Sequence, residues 1–392
     1  MKNNKIYTII AYSLYVVASL SASGSLLQTL LNALGFSSGE IYIHSSIIQA
    51  VTVITILLGS RFADGKSIIR RTAISCFLSG ILFVGYLPLC FMREASTVSF
   101  VLLIAVSSLQ ALTIALHTVC DYKLPYFLFS VTDYGVVLAV CGVISSIVSF
   151  IVGLVVSTLS DMLDYVSLMI FVFIISGVFY VISGVFRSFT RPLYNLDALS
   201  AERENQHIGT TLSHPAFRSL FIPHLLRGYG YGVSTVLAVV ATELGYSTSV
   251  ATATVSVMAV ATILSCTVFG IFSRKPRART FIALGSLSYI VLPLLLIKGS
   301  PTVFLSTYAI VIFGRNFIDN AVPAALVSIV PPKIAGPYNA LRMAIHFSGV
   351  VISNLLATAI STELLILSAL AAQLLSGMLY VVGIKRVERL PM

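Results

Sequence analysis

Between Pro301 and Pro331 an otherwise apolar stretch is interrupted by Gly314-Arg315-Asn316-Phe317-Ile318-Asp319-Asn320. Arg315 and Asp319 stand four residues apart, as do Asn316 and Asn320, so on a helix the two pairs share one broad face. If that helix crosses a bilayer, Arg315 lies roughly 20 Å from the Pro301 end, at about 1.5 Å per residue, near the middle of the hydrocarbon. Ionisable groups at that depth are costly and face a bundle interior or a water-filled cavity. A carboxylate there can take up a proton, and a neighbouring guanidinium can hold it charged. The spacing therefore has two readings: a proton and substrate site whose pairing changes during a working cycle, or a static ion pair.

Other polar residues lie in comparable positions. His346 follows Arg342 by four residues within a later apolar run, and imidazole is the side chain that changes charge near neutral pH. Asn354 stands two turns further on. Arg227 opens the run Arg227-Gly228-Tyr229-Gly230-Tyr231-Gly232, whose alternating glycines either weaken a helix or admit a close neighbour. Arg227 and Tyr231 are candidates for contact with a solute, the alternative for Arg227 being to extend its head to the membrane surface. In the first half of the chain Gln28, Gln49 and Gln110 are the polar candidates, against ordinary hydrogen bonding between helices.

The elements that carry these residues are membrane helices. The 392 residues are 57% hydrophobic and 10% charged, where soluble domains carry about 25% charged residues, and mean hydropathy is +0.99. The net charge of +10 does not point to nucleic acid, because the basic residues are placed asymmetrically. Apart from Arg93 and Lys298 on one side, and Arg227 and Arg315 inside spans, they fall in short connections on the other side. That asymmetry puts both termini in the cytoplasm. The five cysteines have no metal-site or redox spacing, so they read as small apolar packing residues, with no cofactor or metal expected.

Twelve spans are expected, approximately 6–33, 41–60, 72–92, 97–118, 134–158, 164–186, 217–243, 248–272, 280–298, 302–330, 337–360 and 363–384. They form a bundle of six over 1–186 and another over 217–392, joined by a polar cytoplasmic linker at 187–216. Leu34-Gly35-Phe36-Ser37-Ser38 follows the first span, and Leu244-Gly245-Tyr246-Ser247-Thr248 follows the seventh. A basic loop comes after Gly59 in one half and after Gly270 in the other. Such an offset near 210 residues is the mark of a parallel structural repeat. Ser37 with Glu40 forms a capping box at the start of the second span. His117, Asp121, Lys123 and Asp133 read as a charge cluster around the loop after the fourth span, and Glu243 and Glu363 as solvated residues at outer helix ends.

The twelve spans, the two-half repeat and the segment Gly59-Ser60-Arg61-Phe62-Ala63-Asp64-Gly65-Lys66-Ser67-Ile68-Ile69-Arg70-Arg71 together resemble the major facilitator superfamily. The resemblance covers the whole chain in topology. In the loop motif Asp64 matches the family's acidic position, while Ser60 and Ser67 replace glycines and the arginine pair falls two residues late. The resemblance implies an all-α membrane protein of twelve transmembrane helices in two pseudo-symmetric halves. It also implies a cytoplasmic gate at Gly59, Asp64, Arg70 and Arg71. The glycine-proline motif of many drug/proton antiporters is missing from the fifth span, so no subfamily is assigned.

These features point to a secondary transporter that moves a small organic solute by alternating access, with Asp319 and His346 offering proton coupling. Proton-driven export of drugs or metabolites and uptake of a polar or anionic nutrient both fit. The chain contains no Walker-type phosphate loop, and the repeat argues against the remote alternative of a membrane-embedded enzyme. The expected partners are a small-molecule substrate, protons and the lipid bilayer, with no nucleic acid and the monomer as working unit. The expected setting is a bacterial plasma (inner) membrane.

Overall fold

The structure, a computed structural model, describes residues 2–23, 27–28, 31–32, 34–59, 67–92, 95–124, 128–129, 131–192, 208–272, 278–330 and 335–389. Its elements are helices: α1 (Lys2–Ser23), α2 (Ser38–Gly59), α3 (Ile68–Leu82), α4 (Thr97–Lys123), α5 (Val131–Met162), α6 (Tyr165–Ser188), α7 (Pro215–Thr235), α8 (Thr248–Phe272), α9 (Ala278–Leu287), α10 (Pro301–Ile329), α11 (Ala335–Ala357) and α12 (Thr362–Val387). Tight 3-10 turns extend α3 to Cys90 and α9 to Leu296, and a break at Val236 separates α7 from a last short helix, Leu237–Glu243.

Among the described residues, nine helices are long and apolar enough to cross a membrane: α2, α3, α4, α6 and α8 to α12. The other three fall short for separate reasons. α1 is interrupted by undescribed positions after Ser23, α5 has only Val140–Val156 as an apolar run, and α7 carries Pro223, Arg227 and three glycines. Large apolar side chains such as Leu58, Ile81, Val98 and Met378 stand exposed on the outside of the bundle. Soluble monomers rarely expose apolar surface on this scale, whereas acyl chains would cover it.

The repeat seen in the sequence is a packing repeat. In the first half α1 packs on α5 and α6, α3 on α4 and α6, and α2 on α4. In the second, α7 packs on α11 and α12, α9 on α10 and α12, and α8 on α10. The two largest contacts joining the halves, α2 with α11 and α5 with α8, exchange under the same six-helix shift. Local structure repeats too. Gly35 (φ 90°) and Gly245 (φ 83°) adopt the left-handed conformation that closes a helix. In each case the glycine N–H bonds three residues back, and the next N–H, of Phe36 or Tyr246, bonds five residues back. Those aromatic rings are buried against their own bundle.

Ser37 and Glu40 cap α2 reciprocally: Ser37 N–H donates to Glu40 Oε2 (2.8 Å) and Glu40 N–H to Ser37 Oγ (3.3 Å). The fourth span runs five residues beyond its expected end, because Val119, Cys120 and Leu124 continue the buried apolar face. His117 and Asp121 therefore belong to the bundle and not to a loop cluster. His117 is buried with its ring stacked on Tyr15 (4.1 Å), and Asp121 pairs with Arg187 (2.5 Å) in the last turn of α6.

The halves meet at both ends of the bundle. At one end the first-half core takes in Val236 and Val239. At the other, where α1 begins and α12 finishes, Ala340, Met343 and Phe347 of α11 pack against a cluster that includes Ile56, Val119, Leu128 and Cys141.

Candidate functional site

The candidate residues of the second half converge because α7 can approach its neighbours closely. A Cβ on Gly228 would land on the backbone carbonyl of His346, and one on Gly349 would land on that of Leu225. Gly230 faces Gln373 of α12, and Gly232 faces Ser353 of α11. α7 remains helical through the glycine run, so these residues admit neighbours and do not bend the helix. Gln373 Nε2 donates to the Arg227 carbonyl (3.1 Å), securing the helix from a second side.

This packing sets Arg227 against the polar face of α10. Its guanidinium is 4% exposed and donates through Nη2 to Asp319 Oδ1, and also to the Arg315 carbonyl (3.3 Å). Asp319 therefore takes its main partner from across the bundle. Arg315 Nε lies 3.9 Å from Asp319 Oδ2, too long for a hydrogen bond, so the expected pairing within α10 is the weaker of the two. The Arg315 head is otherwise held by neutral groups. Nη1 donates to Ser234 Oγ (3.3 Å), Nη2 reaches Met258 Sδ (3.9 Å), and the plane sits 4.8 Å from the Tyr231 ring centroid. Tyr231 in turn meets the His346 ring edge-on at 5.1 Å.

Exposure separates these groups. The Asp319 side chain is 41% exposed, while Arg315 is 12% and Arg227 4%. The accessible carboxylate thus stands on the polar face of α10, directed across the bundle at Arg227. The arginines form the wall behind it.

The remaining candidates are dispersed. Asn316 donates to Thr262 Oγ1 (2.9 Å) and Asn320 to Cys266 Sγ (3.7 Å), so both bind α10 to α8 and do not join the ion cluster. Gln110 is buried within the first half, its Nε2 directed to the Ser79 carbonyl at 3.5 Å. Gln28 is buried, and its Oε1 has no donor among the described residues. Asn354 is buried, and neither of its side-chain polar atoms is hydrogen-bonded among the described residues. Gly59 ends α2 against Leu116, and Arg70 and Arg71 lie in the first turn of α3. Asp64 lies outside the described residues.

Three arrangements were not anticipated. Glu243, read as simply solvated, accepts from Tyr42 of the opposite half (3.0 Å) and from Thr362 at the start of α12 (2.8 Å), so it clasps the halves at one end. His224 is buried between Tyr380, which meets its Nδ1 at 2.5 Å, and Tyr338, 3.4 Å from its Nε2. Arg342 stands one turn before His346 with a buried, unpartnered Nε. Only the spacing of Arg342 to His346 was visible in the sequence; the other contacts join residues more than a hundred positions apart.

The family model of the Major Facilitator Superfamily matches residues 8–354. Among solved structures, the chain resembles a bacterial homologue of the iron transporter ferroportin, crystallised in an outward-facing state with soaked iron. The TM-score is 0.70 at 14% identity, covering 97% of this chain and 98% of that one. At that identity the likeness speaks for the fold. Comparison with curated protein sequences finds no match. The repeat of helix contacts, the charged mid-span cluster and the family match lead to one assignment: the chain belongs to the Major Facilitator Superfamily of membrane transporters.

Proposed function

We propose that this transporter moves a small organic solute by alternating access, using Arg227, Arg315, Asp319, Tyr231 and His346 as the solute and proton site. The observation that carries the reading is the accessible Asp319 carboxylate beside two buried guanidiniums, within a bundle whose halves touch at both ends. An ionised group at that depth is usually functional. Protonation of Asp319 would remove the charge that holds Arg227, so proton and solute binding would be linked through a single carboxylate.

In the same reading the two bundles are 1–186 and 217–392, and Asn316 and Asn320 keep α8 attached to α10 while the site changes. Gln28 is the first-half candidate for contact with the same solute. Gly59, Asp64, Arg70 and Arg71 form the gate on the basic side, which faces the cytoplasm and carries both termini. The protein works as a monomer in a bacterial plasma membrane.

The test is ligand-induced thermal stabilisation of the detergent-purified chain, measured across pH for wild type and Asp319→Asn. A ligand that binds the folded state raises its melting temperature by mass action. The expected result is a ligand whose affinity changes at least tenfold in the variant and loses its pH dependence. Identical responses in the two proteins would remove Asp319 from the site.

A further inference from the structure

The second half is one anion short at its centre. From residue 208 onward the chain has four acidic residues, Glu243, Asp319, Glu363 and Glu388. Glu243 and Glu363 lie at one end of the bundle, and Glu388 pairs with Arg279 at the other. Asp319 is thus the single carboxylate at mid-depth, and it faces two guanidiniums there. A guanidinium does not lose its proton in a protein, so the excess positive charge cannot be relieved by titration.

The donors show where a counter-charge would go. Arg227 Nη1 and Arg315 Nε are both buried without a hydrogen-bond partner among the described residues. Arg315 has no carboxylate within hydrogen-bonding distance and rests on a hydroxyl, a thioether and an aromatic face. A buried cation without a full partner is costly, and a guanidinium fork matches the two oxygens of a carboxylate or phosphoryl group.

Building on the proposed site, we infer that the transported solute carries an oxyanion, a carboxylate or phosphoryl group, which docks on Arg315 and the spare face of Arg227. There it shares the guanidiniums with Asp319. Asp319 then acts as a built-in competitor: it holds the arginines when the site is empty and yields to the cargo. The Tyr231 ring, which lies over the Arg315 guanidinium and meets the His346 ring edge-on, gives the remainder of the solute an aromatic wall. A cationic cargo would meet the arginines' repulsion at this position.

The test uses the full chain in lipid-free detergent at fixed ionic strength, titrated with citrate, malate, inorganic phosphate and glycerol 3-phosphate. Glucose and tetraphenylphosphonium serve as neutral and cationic probes, and phosphatidylglycerol in mixed micelles as a lipid headgroup. The expected result is stabilisation by at least one soluble oxyanion. Its affinity should weaken about tenfold or more in Arg315→Gln, tighten in Asp319→Asn, and stay unchanged in the surface variant Arg279→Gln. If Arg315→Gln does not fold, Arg315→Lys, which keeps the charge and loses the fork, should still weaken binding severalfold.

Stabilisation by glucose or tetraphenylphosphonium alone, still sensitive to the Asp319 and Arg315 variants, would overturn the oxyanion inference and leave the site standing. Oxyanion binding indifferent to both variants would overturn the site itself. A response confined to phosphatidylglycerol, or none to any soluble oxyanion, would overturn the inference.

Discussion

The two halves share one pattern of helix contacts but use polar residues in different ways. The interior polar pairs of the first half are neutral, although the His117 ring nitrogens and the Tyr180 hydroxyl have no hydrogen-bond partner among the described residues. His44 Nε2 and the Tyr86 hydroxyl both meet Ser107 Oγ at 2.9 Å, Ser79 meets Thr113 at 2.7 Å, and Ser183 donates to the Ala11 carbonyl at 2.7 Å. Its buried ion pair, Arg187 with Asp121, stands near the end of the bundle. The second half places its charges at mid-depth, where Arg227 Nη1 and Arg315 Nε have no hydrogen-bond partner among the described residues. Satisfied polar networks hold a bundle in one arrangement, while incomplete ones are costly and persist where something else completes them. On the proposed reading, the depth at which the charges stand gives scaffold duty to the first half and solute chemistry to the second.

The strongest test of that contrast is steric. Gly228→Ala puts a methyl group on the His346 carbonyl, where backbone cannot yield, and should cost about 3 kcal/mol or more, or abolish folding. The first-half comparison is Gly85→Ala, whose methyl group meets the Val106 side chain at 3.1 Å and should be tolerated. Melting temperatures of the purified variants decide it.

Next come the two ion pairs. Arg227→Gln and Arg187→Gln each strand a carboxylate and should each cost about 2–3 kcal/mol, below the full range for buried pairs because Asp319 and Asp121 are partly exposed. Ligand affinity separates them: it should collapse in Arg227→Gln and survive in Arg187→Gln. Loss in both would end the division of labour.

A smaller effect is expected of Ser107→Ala, which removes the shared partner of His44 and Tyr86. It should cost about 1–3 kcal/mol without changing ligand affinity. The smallest is Tyr42→Phe, about 1 kcal/mol, since Glu243 keeps Thr362 and solvent. Its readout is faster labelling of a cysteine introduced just inside that end of the bundle.

Much of the fold could be read from local sequence. The Ser37 and Glu40 cap, the two Leu-Gly-aromatic-Ser turns and the glycine run at 228–232 each encode a short-range geometry, and each forms. The site was legible in composition but not in pairing. Four-residue spacing put Arg315 and Asp319 on one face, yet it could not disclose that a guanidinium 92 positions earlier would take the carboxylate. The same limit concealed the Tyr42 clasp and turned Asp121 into a loop residue, since its partner, Arg187, had been placed in a linker. Local spacing specifies faces; partners across a bundle depend on how helices dock.

One contact bears on how movement would travel through the molecule. With the Gly228 backbone seated on the His346 carbonyl, and Gly349 seated reciprocally on Leu225, α7 and α11 have no play between them. α11 is also the helix that lies along α2 of the other half. At these two contacts backbone meets backbone, so a shift of α11 would have few side-chain atoms there to absorb it. It must arrive at Arg227 as nearly the same displacement, as through a connecting rod without bearings. In the proposed cycle, the bare glycines would turn a relative motion of whole bundles into a movement of one guanidinium past one carboxylate.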